Sequence, residues 1–299
     1  MSQYLVLSHI DIQNANTIAG LTWGFPAITQ FLGFTHALSR KISATYGGDY
    51  PTELNGCAVV SHQTNNKVYQ PKPFADFEFV QSKNPPVLSG HKAKSSPPII
   101  EEGKVNLNVS LIIELSNDLA LTPDKAAYFE SYITSLCYKM RIAGGTVLHI
   151  SKVKFISDYN DEILLKKIKR LCMPGFVLKD QSAYLANHIK TIREQAKKES
   201  PKETSTLLDA WLDFSALKAV AQPKLATNQT EPDAQTDAEW NYQPKPFSGY
   251  LVPLMTGYKA ISQVYSPGEV EDTRDQTTPT CFVEAIHSVG EWLCTGWML

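Results

Sequence analysis

Residues 105–113 read Val-Asn-Leu-Asn-Val-Ser-Leu-Ile-Ile and carry the clearest secondary-structure signal in this chain of 299 residues. Apolar and polar side chains alternate along most of the stretch, which is the period of a β-strand with one buried face. The pattern predicts inward side chains at Val105, Leu107, Val109, Leu111 and Ile113, and outward ones at Asn106, Asn108 and Ser110.

Elements on both sides of this strand complete a βαββαβ pattern, the ferredoxin-like arrangement of an α+β fold. Pro26 suits the opening turn of one helix, and Thr122-Pro123 supplies an N-cap and first residue for another. Glycine pairs at 47–48 and 144–145 are placed to end these two helices. The remaining predicted elements are strands at 4–12, 56–62 and 146–155, with a loop at 13–24.

A long insertion, at about 64–104, separates the second and third predicted strands. An antiparallel connection needs only a few residues, so an insertion of some forty indicates a functional arm. It combines six prolines and four aromatic residues with a basic cluster, His-Lys-Ala-Lys at 91–94. Lysines interleaved with aromatic side chains suit single-stranded RNA binding. The alternative is an ordinary solvated surface loop.

The second half of the chain is less regular. Two lysine-rich helices are predicted at 161–171 and 181–198, although charged helix faces are usually just solvated. Residues 221–239 are polar, mostly acidic and almost free of aromatic side chains, which predicts a disordered loop. The expected organisation is therefore a ferredoxin-like domain over 1–155, containing the arm, and a helical and β elaboration over 156–299.

Composition restricts the function classes. With 28 basic and 30 acidic residues the net charge is −2, whereas freestanding nucleic-acid-binding domains usually carry a positive excess. Any RNA contact is thus expected to be local or shared with partner subunits. Five widely spaced cysteines without a Cys-x-x-Cys pair argue against a disulfide framework or zinc site. No membrane-length apolar run or signal peptide is visible, so a cytoplasmic protein is expected.

Sequence signatures of common enzymes and cofactor sites are missing, so no cofactor is predicted. The best catalytic candidate is His9 with Asp11, which lie two positions apart on a strand and so on one face. Such a pair could support metal-free RNA cleavage. The alternative, which we favour, is that His9 packs within the sheet.

Arg141 with Gly144 and Gly145 is a second candidate site. Glycines at a helix-to-strand turn let backbone N–H groups approach a phosphate, and Arg141 would add charge. A plain glycine C-cap explains the same residues equally well. The outward side of 105–113 carries no aromatic residue, so the stacking platform of classical RNA-recognition motifs is not expected. The places where RNA could still bind are the sheet edges, the glycine turn and the arm.

A further set of short motifs resembles a known family. The first are Ile-Gln-Asn-Ala-Asn at 12–16, Leu-Thr-Trp-Gly-Phe-Pro at 21–26 and Gly-Phe-Thr-His-Ala-Leu at 33–38. Together with later motifs in the same order, they resemble the handle-binding second subunits of type I-F CRISPR Csy complexes, Cas-five-type members of the RAMP superfamily. The later motifs lie at 101–103, 140–145, 174–176, 251–253, 257–258, 267–270, 274–275 and 290–292.

The resemblance implies a ferredoxin-like RAMP core with an elaborating thumb, and a non-catalytic subunit. In such a complex this subunit and the Cas-eight-type large subunit grip the five-prime handle of the guide CRISPR RNA, while Cas-seven-type backbone subunits coat the spacer. Target DNA is then met only indirectly, through the complex. The resemblance therefore implies structural rather than catalytic roles for His9 and Asp11.

The resemblance also directs attention to particular RNA contacts. The loop after the first strand offers amide side chains, the glycine turn would hold phosphates, and the arm adds two lysines. For the amides, bracing of the loop by local hydrogen bonds is an equally good explanation. The expected RNA-binding residues are Gln13, Asn14, Asn16, His36, Arg40, Lys92, Lys94, Arg141, Gly144 and Gly145.

Two other functions stay open on the sequence. One is a metal-free RAMP endoribonuclease that processes guide precursors with His9 or His36, which needs a second acid–base group nearby. The other is a ferredoxin-like interaction module without an RNA partner.

Overall fold

The computed structural model describes residues 2–46, 53–83, 85, 99–116, 118–199, 205–224, 237–273 and 275–294. The described part is an α+β structure. Its helices are α1 (Ile28–Tyr46), α2 (Pro123–Tyr138), α3 (Asp161–Cys172), α4 (Ser182–Glu199) and α5 (Leu207–Ser215). The chain forms two compact units, one of residues 1–178, 255–287 and 293–299, the other of 179–254 and 288–292.

The strands of the described residues fall into a large sheet and three small ones. In chain order they are β1 (Ser2–Asn16), β2 (Ile18–Ala19), β3 (Thr22–Trp23), β4 (Leu54–Asn66), β5 (Val68–Tyr69), β6 (Glu78–Lys83), β7 (Ile99–Glu102), β8 (Lys104–Leu115), β9 (Arg141–Ile142), β10 (Gly145–Asp158), β11 (Phe176–Asp180), β12 (Ala219–Pro223), β13 (Ala238–Tyr242), β14 (Leu251–Ala260) and β15 (Val283–Cys294).

The sheet of the first unit runs in the order β11-β4-β8-β1-β10-β9, with antiparallel neighbours throughout. Strand β1 lies between β8 and β10, so that Leu5 is opposite both Ile113 and Phe155. The inward side of β8 is confirmed, because Val105, Val109 and Ile113 are fully buried. The outward prediction is wrong for Ser110, which is buried on the opposite face of the strand. Continuous burial on one side fixes the register, since a shift by one residue would expose every apolar side chain.

Helices α1 and α2 cover that side of the sheet. Phe31, Leu38 and Ile42 of α1 join Phe129, Ile133 and Cys137 of α2 in one core with the inward residues of the strands. Burial raises the pKa of the Cys137 thiol to about 12, as expected inside an apolar core. All five cysteines of the chain are unpaired.

Helix α3 packs on the opposite face of the same sheet. Its apolar stripe, Leu164, Ile168 and Cys172, meets Val6, Val60 and Ile156. Asn160 caps the helix by accepting hydrogen bonds from the N–H groups of Glu162 and Ile163, at 2.9 and 3.2 Å. The rest of this face, toward the far ends of β1 and β8, keeps polar side chains and an open groove.

The arm predicted at about 64–104 contains the short strands β5, β6 and β7, which pair in that order. Trp23 meets Phe79 of β6 edge to face, with ring centroids 4.8 Å apart. Residues 84 and 86–98 lie outside the described residues, and with them the predicted RNA contacts Lys92 and Lys94.

In the second unit, aromatic side chains pack beside helix α4. Tyr184 stacks on Phe247 with ring centroids 4.5 Å apart, and Phe214 of α5 is also stacked with Phe247, with centroids 5.9 Å apart. His188 is 2.6 Å from the carboxylate of Asp213. Strands β12 and β13 pair across the ends of the stretch predicted as a disordered loop at 221–239, so its first and last residues are ordered. Its middle, 225–236, lies outside the described residues and stays a prediction.

Strands β14 and β15 pair with each other and contribute residues to both units. The Ile261 N–H donates to the Phe282 carbonyl at 2.9 Å, and the Trp292 N–H to the Tyr250 carbonyl at 3.1 Å, so the pair is antiparallel. Within the described ranges, no helix combines the length and apolarity needed to cross a membrane.

Candidate nucleic-acid interface

The first predicted cluster lies at the end of strand β1. The loop predicted at 13–24 is wrong in its first part, because β1 continues to Asn16 and the chain then forms the β2–β3 hairpin. The strand is irregular here, with a bulge between Ile12 and Ala15 and a left-handed φ of 57° at Asn14. Asparagine tolerates that conformation better than most residues, which explains its position in the bulge.

The bulge leaves three amide side chains exposed. The backbone N–H of Asn14 donates to the Asn106 Oδ1 at 3.0 Å, and the Lys67 Nζ donates to the Asn14 Oδ1. Asn16 accepts from the Ile18 N–H at 3.0 Å. Both asparagines therefore use their side-chain oxygens to brace the chain. This is the second of the two predicted alternatives, bracing by local hydrogen bonds. Gln13 is exposed and makes no side-chain hydrogen bond to the described residues.

The second predicted cluster is a tight turn between β9 and β10. Ala143 and Gly144 both have left-handed φ values, 49° and 75°, the pattern of a two-residue hairpin turn. The glycine C-cap is wrong, since α2 ends at Tyr138 and the N–H groups of Lys139 and Met140 bond to its last carbonyls. Arg141 is exposed at the base of the hairpin, with its Nη1 3.2 Å from the Gly144 carbonyl.

These two clusters lie side by side. The Asn16 N–H donates to the Ala143 carbonyl at 2.8 Å, and Gln13 is paired with Thr146 across the sheet. A Cβ atom added at Gly145 would come within 2.8 Å of both the Gln13 carbonyl oxygen and the Ala15 nitrogen. Glycine is therefore required at position 145, because β1 approaches too closely to leave room for a side chain.

The other described candidates are less closely associated. His36 and Arg40 lie one turn apart on the exposed face of α1, a helix that contacts β9 through its buried side. Neither makes a hydrogen bond or an ion pair to the Arg141 hairpin among the described residues. Hydrogen bonds, strand pairing and close backbone approach thus link six of the predicted residues: Gln13, Asn14, Asn16, Arg141, Gly144 and Gly145.

An open groove of about 320 Å³, hereafter the amide groove, adjoins this site on the sheet face away from α1 and α2. Its polar lining comes from three neighbouring strands. Gln63 of β4, Asn108 of β8 and Asp11 of β1 are partners in one row across the sheet, and Asn65 and Asn106 form the next row. The lining residues are Asp11, Ile12, Gln13, Gln63, Asn65, Asn106, Leu107, Asn108 and Leu148.

One buried atom in the lining of the amide groove lacks a hydrogen-bond partner among the described residues. The Asn108 Nδ2 donates to the Asp11 carboxylate at 2.6 Å, which fixes the orientation of the amide, and leaves its Oδ1 buried without a hydrogen bond. An unpaired buried acceptor costs about 1–3 kcal/mol. Because this oxygen is closed to solvent, the exposed amides of Gln13, Gln63 and Asn65 are the groups that a ligand would meet. Amides offer both a donor and an acceptor, which matches the edges of nucleobases.

Sequence reasoning missed Gln63 and Asn65, and it read Asn106 and Asn108 only as outward residues. The missing information is register. Amides on separate strands become a site only when they lie opposite each other, and the pairing of β4 with β8 depends on contacts distant in sequence. The available signal was alternating amides in the predicted strand at 105–113 and just past the end of the predicted strand at 56–62.

His9 does not pair with Asp11 but stacks on His62, with ring centroids 3.9 Å apart and ring planes 10° apart. The His62 Nδ1 lies 2.5 Å from the Pro174 carbonyl, so it donates there, and its Nε2 accepts from the buried Ser110 hydroxyl at 2.6 Å. The His9 Nδ1 is 2.9 Å from the Ser8 hydroxyl. Three of the four ring nitrogens are therefore engaged within the protein.

Burial lowers the pKa of His62, and the neighbouring His9 lowers it further against the opposing effect of the Pro174 carbonyl. A lowered pKa means that the unfolded chain binds a proton more readily than the folded one. Stability is therefore present above the unfolded value of 6.5 and decreases as the pH falls through it.

We expect the melting temperature to fall between pH 7.5 and 5.5 by less in His62→Gln than in the unmodified chain. The control is His36→Gln, which changes an exposed histidine outside the stack and should keep the full pH response. Equal pH responses in all three proteins would contradict this assignment.

Comparison with known proteins identifies a family that spans nearly the whole chain. The family described as CRISPR-associated protein (Cas_Csy2) matches residues 5–296. A relative named CRISPR-associated protein Csy2, from Pseudomonas aeruginosa (strain UCBPP-PA14), is 34% identical over 302 residues, which cover 97% of this chain and 86% of the relative. The match includes both units and every described residue of the amide groove. This chain belongs to the Csy2 family of CRISPR-associated proteins.

Proposed function

We propose that this chain is a non-catalytic RNA-binding subunit of a type I-F CRISPR Csy surveillance complex, and that it holds the five-prime handle of the guide RNA in antiviral defence. The observation that carries the proposal is the amide groove beside Arg141 and the Gly144–Gly145 turn. Base edges would bind the amides, and the backbone would pass the Arg141 hairpin.

The proposed partners are the guide RNA, the Cas-eight-type large subunit and the Cas-seven-type backbone subunits. The complex would act in the cytoplasm and meet target DNA only indirectly through its other subunits. Membership of the Csy2 family supports the assignment to a CRISPR system. The chain's net charge of −2 is compatible with it, because the proposed handle contact is local to one end of one sheet and is shared with partners.

A ferredoxin-like RAMP core is part of the proposal. Two features support it: the central strand order β4-β8-β1-β10, and the packing of α1 and α2 on one face of that sheet. In a βαββαβ chain this order places the first and third strands at the centre.

RNA binding on the open sheet face differs from the sequence-based expectation, which left only the sheet edges, the glycine turn and the arm for RNA. Stacking of bases on aromatic side chains remains unsuited to this face, since none of the residues lining the amide groove is aromatic. Hydrogen bonding by Gln13, Asn106 and Asn108 replaces it. A handle of constant sequence suits such a reader, because amides discriminate base edges whereas stacking accepts any base.

The endoribonuclease alternative gains a second histidine from the stack of His9 on His62. General acid–base catalysis needs two groups that present free nitrogens to the substrate. Here only the His9 Nε2 has no hydrogen-bond partner among the described residues. The stack therefore favours a structural role, and we retain the non-catalytic proposal.

The test is a gel-shift titration of the chain, co-purified with its large partner subunit, against labelled guide RNA with an intact or a scrambled handle. The proposal predicts a handle-dependent shift and uncut RNA. Cleavage that persists after chelation of metal would favour the endoribonuclease. Equal shifts, or no shift, with both RNAs would refute handle binding.

A further inference from the structure

A second groove, of about 470 Å³, lies on the same sheet face where α3 crosses strand β10. We call it the basic groove. Lys152 and Lys154 stand two residues apart on β10 and so on one face, and α3 supplies three further cations. The apolar floor consists of Ile156, Ile163 and Leu171, and the cations are Lys152, Lys154, Lys166, Lys167 and Arg170.

Three of these five cations have no acidic partner in the part of the chain that the structure describes. Lys154 pairs with Glu130 at 2.7 Å and Lys167 with Asp158 at 2.9 Å. Lys152, Lys166 and Arg170 are exposed and make no ion pair or hydrogen bond to the described residues. Like charges gathered in one concavity repel each other, so folding does not account for the cluster.

The chemistry of the basic groove matches a phosphodiester backbone. Arginine binds phosphate oxygens through two parallel N–H groups, and lysines add point charges. An apolar floor of side chains such as Ile163, which is 44% exposed, suits the sugar carbons of a nucleic-acid strand better than an inorganic anion. The amide groove, in contrast, contains no lysine or arginine.

We propose that the basic groove binds the phosphodiester backbone of a nucleic acid at a site separate from the amide groove. This goes beyond the proposed function, which assigns only the handle, and only to the amide groove and the Arg141 hairpin. Guide RNA beyond the handle and duplex DNA share this backbone chemistry, so the test has one arm for each.

The test compares Lys166→Gln/Arg170→Gln with the matched control Lys190→Gln/Lys197→Gln, which removes two exposed cations from α4. The full chain is titrated with a 30-nucleotide single-stranded RNA of unrelated sequence and, separately, with a 30-base-pair DNA duplex at several salt concentrations. Loss of two phosphate contacts should reduce the slope of log affinity against log salt by about 1.4 for RNA or about 1.8 for duplex.

A reduced slope with RNA alone supports a guide-RNA site, one with duplex alone supports a DNA site, and one with both supports a general backbone site. Slopes that match the control in both arms would overturn the proposal.

Thermal melts verify folding, since Arg170 also lies in the last turn of α3, where a cation is favourable. Lys152→Gln, on the strand, provides a second variant that leaves α3 intact. Handle discrimination should survive in every variant, so failure here is distinguishable from failure of handle binding.

Discussion

Gly145→Val is expected to destabilise the first unit by about 3 kcal/mol and to abolish handle binding with it, because the valine must displace the end of β1. A Cβ atom at this position would meet the Ile12 Cγ2 at 2.6 Å, and the backbone atoms of Gln13 and Ala15 at 2.8 Å. Backbone atoms cannot move aside as a side chain can. Displacing them would separate Gln13 from the Arg141 hairpin.

The matched control is the adjacent glycine. A Cβ atom at Gly144 meets nothing within 4 Å, so Gly144→Ala is strained only by the left-handed φ of 75°. Its cost should be about 1 kcal/mol. Chemical denaturation of both variants checks the difference, and a Gly145→Val protein as stable as Gly144→Ala would show that β1 does not pass so close.

Gln13→Ala combined with Arg141→Ala is expected to weaken binding of the intact handle by about 3 kcal/mol, or roughly 100-fold, without loss of stability. The Gln13 amide makes no hydrogen bond to the described residues, and the Arg141 side chain has only an exposed bond to the Gly144 carbonyl. Removing them therefore costs the fold little, so that any loss of affinity reports on RNA contact.

The control for this pair is Lys190→Ala with Gln243→Ala, which removes one cation and one amide from exposed positions of the second unit. Affinity is measured by titration with labelled guide RNA at fixed salt. Unchanged affinity for the intact handle in Gln13→Ala/Arg141→Ala would place the handle elsewhere.

Local patterns predicted the frame of the fold well. The alternation in 105–113 identified β8 and its buried face, and Thr122-Pro123 identified the start of α2. Such features depend on neighbours in sequence, so a single sequence contains them. The end of β1 was predicted too early and the end of α2 too late. Bulges and hairpins change the direction of the chain without changing its composition, so the sequence does not indicate them.

The candidate site was only partly predictable for the same reason. Gln13, Asn16 and Arg141 were identified, but their adjacency follows from the pairing of β1 with β10. The row of Gln63, Asn108 and Asp11 requires the register of three strands. His62 was not singled out, since its stacking on His9 depends on the left-handed backbone at His9, φ 50°, which no sequence pattern indicates.

The most direct test of handle binding at the amide groove is photo-cross-linking of guide RNA that carries a single 4-thiouridine, placed either in the handle or in the spacer. The cross-linked peptides are then identified by mass spectrometry. Handle binding at the amide groove predicts that the handle probe labels peptides from the ends of β1, β4 and β8 around Gln13, Gln63 and Asn106, and that the spacer probe does not. Handle cross-links confined to other parts of the chain, or absent while a partner subunit is labelled, would contradict it.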